Sequence, residues 1–241
     1  MNDIAGNLSA VLQAIRGACA AAGRRPDAVR LVAVSKTFSA EDVRTAAATG
    51  QRAFGESYLQ EAMGKIAVLD EVRAGTLLGG PGEPLEWHFI GPVQGNKTRE
   101  LAAHFHWVHG VDRVRIAQRL AEQRPERLPP LQVLVQVNIS GEASKSGCTP
   151  AEAASLCATV AGLPRLRLRG LMTIPEAVES PEQARPAFRL LRGLHEEIRA
   201  AGKVDTAAFD TLSMGMSHDF RVAIEEGATM VRVGSAIFGR R

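Results

Sequence analysis

Apolar residues at Ile4, Leu8, Val11, Leu12, Ile15 and Cys19 recur at the spacing of one helical face, and the pattern stops at Gly23 with Pro26 close behind. Beyond that point short, nearly continuous apolar runs predict strands at 31–35, 53–56, 87–91, 107–111, 131–138, 168–173, 211–215 and 230–238. Amphipathic helical patterns lie between most of them, for example at 40–49 and 184–201. Strands this uniformly apolar suit a parallel sheet buried on both faces. Eight strands with helical crossovers in 241 residues predict an α/β fold, a single (β/α)8 TIM-type barrel spanning residues 1–241. An open doubly wound sheet is the alternative. The sequence ends three residues after the eighth strand, leaving no room for an eighth crossover helix, so the N-terminal helix is expected to cover that place on the outer ring. The turn-rich stretch at 74–86 reads as a surface insertion.

Composition removes several function classes. The chain is 45% hydrophobic and 23% charged, with a net charge of +3 and the basic residues scattered, too mild a balance to argue for nucleic acid. One tyrosine and two tryptophans offer no stacking platform for bases. Cys19, Cys148 and Cys157 form neither a C-x-x-C pair nor an even disulfide set, which fits a reducing compartment. The N-terminus lacks a basic segment followed by an apolar core, and no run reaches the ~18 apolar residues of a membrane span. A soluble cytoplasmic protein, monomeric for want of an extended apolar exposed face, is the expectation.

In a (β/α)8 barrel the chemistry sits at the carboxyl ends of the strands. Ser213, Gly234 and Ser235 follow strands seven and eight, the usual phosphate corner of this fold, and supply a hydroxyl and unobstructed backbone amides. Lys36 ends the apolar run "LVAVSKTF". A lysine after a strand is ordinarily a solvated residue, but at this barrel mouth apolar surroundings would disfavour its ammonium form and expose a nucleophilic amine. Amine plus phosphate cradle suggests a Schiff base with an aldehyde that also bears a phosphate, and pyridoxal 5′-phosphate satisfies both conditions. Arg232 shares a side of its strand with Gly234. A guanidinium only donates, so at the pyridine nitrogen it would keep that atom unprotonated and blunt the ring as an electron sink.

Six stretches then form a recognisable set, in order along nearly the whole chain: LVAVSKTF, FGESYLQEAMGKI, WHFIGPVQGNKTRE, VNISGEASKSG, RGLMTIPE and LSMGMSHDFRVAIEEGATMVRVGSAIFG. Together they resemble the pyridoxal phosphate homeostasis protein family, whose barrel is like the alanine racemase N-terminal domain, the fold-type III barrel. The resemblance implies Lys36 as the Schiff-base lysine, Ser213, Gly234 and Ser235 on the phosphate, and Arg232 at the pyridine nitrogen. It also implies a cofactor-binding role in balancing intracellular vitamin B6, with no catalytic residue to assign; exchange of the cofactor with the free pool or with pyridoxal phosphate-dependent apo-enzymes is the expectation. Two departures stand out. Ser57 occupies a position where the family usually has Asn, and the tail ends at Gly239-Arg240-Arg241 without the further basic residues of relatives.

The rival is an amino-acid racemase using the same cofactor. Two-base racemisation needs a proton donor on each face of the ring, and the one tyrosine, Tyr58, reads as a packing residue rather than a second base. A pure interaction protein with no ligand is the third class. His104, His106 and His109 give a metal-like H-x-H-x-x-H, but the first two precede strand four at the wrong end of the barrel, so no metal is assigned. GPVQGNKT lacks the spacing of a nucleotide phosphate loop. Lys145 reads as a solvated lysine near the mouth.

Overall fold

A computed structural model describes residues 3–74, 84–142, 145–176 and 178–239. Most of the stretch expected as a surface insertion, 75–83, lies outside the described residues. Helix α1 (Ile4–Ala21) leads into β1 (Arg30–Val34), and the chain then alternates through α2 (Ala40–Ala48), β2 (Ala53–Glu56), α3 (Leu59–Ala74), β3 (Glu86–Phe89), α4 (Thr98–His104) and β4 (Trp107–Val111). It continues through α5 (Val114–Gln123), β5 (Leu131–Gln136), α6 (Pro150–Ala161), β6 (Leu166–Met172), α7 (Arg185–Ala200), β7 (Thr211–Met216), α8 (Phe220–Glu225), β8 (Met230–Val233) and α9 (Ser235–Phe238). All eight strands pair in parallel with their sequence neighbours, and β8 closes on β1 through Arg30↔Met230 and Val32↔Arg232. The predicted (β/α)8 barrel is therefore the fold. Helix α1 packs against α8, α9 and α2, the outer-ring place expected of it.

Strand alternation sorts the apolar residues into two bodies. Leu31, Ala33, Phe54, Val108, Val133, Leu171, Val231 and Val233 face outward into the large core between strands and helices. Val32, Ala53, Trp107, Leu134, Met172 and Met230 face inward and form a smaller plug inside the barrel. Polar residues share the interior with them: His88, His109, Gln136, Ser213 and Arg232 are all buried. A barrel needs a packed interior for stability, so polar groups there demand partners and suggest use.

One boundary differs from the sequence reading in a way that matters for the site. The eighth strand, expected to run to 238, ends at Val233, and Ser235–Phe238 form a single helical turn. Ile237 and Phe238 are buried in that turn, and the Phe238 ring stacks on Phe38 at 5.2 Å. Tertiary packing decides between turn and strand here, because a short apolar run fits either. Among the described residues no helix is long and apolar enough to cross a membrane.

Candidate functional site

At the carboxyl end of the strands a cavity of about 490 Å³ is lined by Val34, Lys36 and Phe38 from β1 and its turn, by Arg232 of β8 with Gly234 and Ser235 just beyond it, and by Met216 at the end of β7 with Ser217 and His218 following. Ser57, Ile90 and Ile174 add to the wall. The volume suits a small cofactor. A larger cavity of about 650 Å³ between α1 and α8 adjoins it at Ser217 and His218 but contains no lysine.

Lys36 reaches the cavity by the alternation that also turns Val32 and Val34 inward. Its neighbours point the other way and are clamped. Ser35 Oγ donates to Glu56 Oε1 at 2.6 Å, and the Thr37 amide donates to Glu61 Oε1 at 2.5 Å. Lys65 Nζ, on α3, ties the set together by donating to the Ser35 carbonyl (2.7 Å), Glu56 Oε1 (2.8 Å) and Glu61 Oε1 (2.5 Å). Thr37 adopts a left-handed φ of 70°, uncommon for a β-branched residue, and the Glu61 contact holds it there. Glu56 is fully buried; burial pushes its carboxyl above the usual range against the pull of Lys65 and Ser35. Glu56 Oε2 has no hydrogen-bond partner among the described residues. This outer clamp escaped the sequence reading, although Glu61 and Lys65 stand four apart on α3, a visible helical pair.

At the opposite wall, β7 ends in a turn that presents Ser217. Gly215 has φ +93°, and a side chain there would run into Ala223 and Phe220. The following turn is closed from both sides: the Met216 amide donates to Asp219 Oδ1 (2.6 Å) and the Asp219 amide to the Met216 carbonyl (3.1 Å). Ser217 Oγ then accepts from the Gly234 amide at 3.3 Å. In α9 the first amides to bond back are those of Ile237 and Phe238, both to the Gly234 carbonyl, so the amides of Ser235 and Ala236 ahead of them are not used within the turn. Packing at Gly234 is tight, since a Cβ there would sit 3.0 Å from the Val34 carbonyl oxygen.

Arg232 lies between these walls and is buried. Its Nη1 donates to Ser213 Oγ at 2.6 Å and its Nη2 to the Thr173 carbonyl at 2.8 Å. Burial brings the guanidinium down to about 10, which leaves it charged at neutral pH.

The structure thus brings Lys36, Arg232, Gly234 and Ser235 to one cavity. Ser213 corrects the expectation placed on it. It is fully buried, its hydroxyl is taken by Arg232 and His109, and it does not line the cavity; Ser217, four residues on, does. Tyr58 is also corrected: the residue is 54% exposed, neither packed in the core nor in the cavity lining. Lys145 is not a lining residue, and its amide and carbonyl serve the loop. His109 lies in the barrel interior with its ring nitrogens on His88 and Ser213, and among the described residues no cluster suits a metal ion. An amine, a buried guanidinium, a hydroxyl and the Gly234–Ser235 turn around one small cavity fit a compact phosphorylated aldehyde.

The sequence profile described as "Alanine racemase, N-terminal domain" matches residues 7–241. The chain is 54% identical to the pyridoxal phosphate homeostasis protein of Pseudomonas aeruginosa, over 100% of this chain and 97% of that one. It is 51% identical to the protein of the same name from Escherichia coli, over 100% and 98%. Among solved structures it resembles PipY of Synechococcus elongatus with PLP bound, at a TM-score of 0.80 and 32% identity, over 98% of this chain and 100% of that one. The fold is shared with alanine racemase from Corynebacterium glutamicum, at a TM-score of 0.61 and 19% identity, with 99% of this chain covering 61% of the enzyme. By profile, identity and coverage together, the chain belongs to the pyridoxal phosphate homeostasis protein family.

Proposed function

We propose that this protein binds pyridoxal 5′-phosphate in the 490 Å³ cavity and takes part in intracellular vitamin B6 homeostasis by holding the cofactor and releasing it to the free pool or to apo-enzymes that need it. The observation that carries the reading is the meeting of Lys36, Arg232 and the Gly234–Ser235 turn around one cavity. The PLP-bound PipY structure supports it.

In this reading Lys36 Nζ joins the cofactor's carbonyl as a Schiff base, forming C=N and releasing water. Arg232 donates to the ring nitrogen from its buried position. Ser217 Oγ and the amides of Ser235 and Ala236 receive the phosphate, as a hydroxyl and two N–H groups not spent within the turn. When bound, the cofactor supplies an electrophilic carbon and a conjugated ring; a permanently charged donor at the ring nitrogen holds that nitrogen unprotonated and limits electron withdrawal. The chain's one tyrosine, Tyr58, stands outside the cavity lining, which favours holding over two-base racemisation. The barrel acts as one functional unit, 1–241, and as a monomer.

Borohydride reduction of the cofactor-loaded protein, followed by digestion and mass spectrometry, tests the anchor. The expected result is a reduced pyridoxyl tag on the peptide that contains Lys36. A tag on another lysine alone, or none, rejects the assignment.

A further inference from the structure

Behind Arg232 lies a set of polar side chains that cofactor binding leaves unused. Arg232 Nη1 donates to Ser213 Oγ at 2.6 Å. Ser213 Oγ lies 3.0 Å from His109 Nδ1, and His109 Nε2 lies 2.9 Å from His88 Nδ1. His88 Nε2 lies 2.6 Å from Glu86 Oε1. Four contacts link five side chains from β8, β7, β4 and β3. They descend the barrel interior to Glu86, the first residue of β3, which also pairs with Arg30 at the start of β1 (2.8 Å). The chain therefore joins the cofactor end of the barrel to its opposite end.

The chemistry of the two ends fixes its direction. A guanidinium can only donate and an ionised carboxylate can only accept. Ser213 Oγ accepts from Arg232 and gives its own proton to His109 Nδ1. His109 then carries its proton on Nε2 and gives it to His88 Nδ1. His88 likewise carries its proton on Nε2 and gives it to Glu86. One tautomer at each ring satisfies all four contacts. The opposite tautomers would set a bare His88 Nε2 against the Glu86 carboxylate at 2.6 Å.

The surroundings keep both rings neutral. His88 is fully buried and stacks on Trp107 at 5.4 Å, and His109 meets the His88 ring edge-on at 5.2 Å. The charged or titratable groups facing them are Arg30 on β1, Glu86 on β3, His106 just before β4 and Arg232 on β8. Burial, opposed by Glu86, holds His88 down to about 4, and burial with the nearby cations holds His109 well below its usual range. Burial raises the Glu86 carboxyl, but the His88 contact and Arg30 outweigh it and bring it to about 2.

We propose that Glu86, His88 and His109 are positioning residues that hold the Arg232 guanidinium through a one-way hydrogen-bond chain, so that the donor at the cofactor's ring nitrogen is oriented from the far end of the barrel. The proposal rests on Arg232 facing the cofactor as argued above.

Two measurements test it separately. In the ligand-free protein, imidazole ¹⁵N spectroscopy is expected to find His88 and His109 both protonated on Nε2 and unchanged from neutrality to about pH 5. Either ring protonated on Nδ1, or titrating near the ordinary histidine value, overturns the chain whatever binds above it. In the loaded protein, Glu86→Leu removes the terminal acceptor and Glu86→Gln retains one. Glu86→Leu is expected to shift the absorption maximum of the bound cofactor and weaken its retention about tenfold, with Glu86→Gln restoring both. Loss of stability with the band unmoved would mark Glu86 as structural and overturn the positioning role. Failure of the unmodified protein to take up cofactor would instead reject the cofactor reading, leaving the tautomers decided by the first measurement.

Discussion

Two buried networks flank the cavity, and they hold their lysine and arginine by different means. Outside the barrel, Ser35, Glu56, Glu61 and Lys65 clamp the backbone on either side of Lys36 with an ammonium set between two carboxylates. Inside, Arg232 is held by a hydroxyl and two neutral imidazoles that end on a carboxylate near the barrel's far rim. The outer network gathers charge beside β1, where it fixes main chain and takes no part in the cavity lining. The inner one gives Arg232 neutral hydrogen-bond partners, Ser213 and the Thr173 carbonyl, with the Asp219 carboxylate acting on it through space and no direct ion pair among the described residues, so much of the guanidinium's charge stays available to a ligand. Pairing Arg232 directly with a carboxylate would hold it as firmly and cancel the field it presents.

That contrast predicts different failures. Lys65→Met leaves Glu56 buried with Ser35 as its remaining partner among the described residues, and removing one member of a buried ion pair costs about 3–5 kcal/mol. Chemical denaturation should show that loss, and Glu56→Leu added to Lys65→Met should recover much of it. A Lys65→Met loss no larger than a surface substitution, about 0.5 kcal/mol, would mean the clamp is not a buried pair at all.

The inner network should instead be exposed by acid. His88 at about 4 in the folded protein, against about 6.5 unfolded, makes the unfolded chain bind more protons between those values. Stability from this group is complete above about pH 6.5 and falls as pH drops toward 4, by about 3 kcal/mol in all. His109 adds in the same direction. Denaturation midpoints taken across this window check the sign: stability that stays level from neutrality to pH 4 would mean the rings are not buried neutral.

The two networks also differ in how far the sequence discloses them. The barrel, the place of α1, and the meeting of Lys36, Arg232, Gly234 and Ser235 follow from apolar runs and strand ends. The outer clamp leaves a local trace, because Glu61 and Lys65 are one helical turn apart. The inner chain does not, since its members come from four strands and meet only on closure; Glu86 and His88 alternating with Trp87 were the available hint of a polar interior. The serines fail for a sharper reason. Ser213, Gly215 and Ser217 share one parity, so alternation cannot separate them. The left-handed Gly215 and the turn closed by Asp219 put one serine behind Arg232 and the other at the cavity.

The wall proposed for the phosphate sharpens the comparison, because it is built from a hydroxyl and backbone amides rather than from ion pairs or a relay. Gly234→Ala places a methyl group 3.0 Å from the Val34 carbonyl oxygen and 3.2 Å from its Cβ, where β8 meets β1. Overpacking of this kind costs about 1–3 kcal/mol and should lower both the thermal midpoint and cofactor retention. Ser217→Ala is the milder change. Its hydroxyl accepts one 3.3 Å bond from the Gly234 amide and lies in the cavity, so removing it should leave the fold nearly as stable. A hydrogen bond to a charged group is worth about 1.5–3 kcal/mol, but amides at Ser235 and Ala236 share this ligand, so the lower end, about tenfold, is expected. The loss should fall on pyridoxal 5′-phosphate and spare pyridoxal, which has the aldehyde but no phosphate. Titrating both ligands into Ser217→Ala and Ser213→Ala separates the two serines. Ser217→Ala narrows the preference for the phosphorylated form, whereas Ser213→Ala weakens both ligands alike, because it acts through Arg232 at the ring. If Ser213→Ala were the variant that narrowed the preference, the phosphate would belong to the buried serine and not to Ser217.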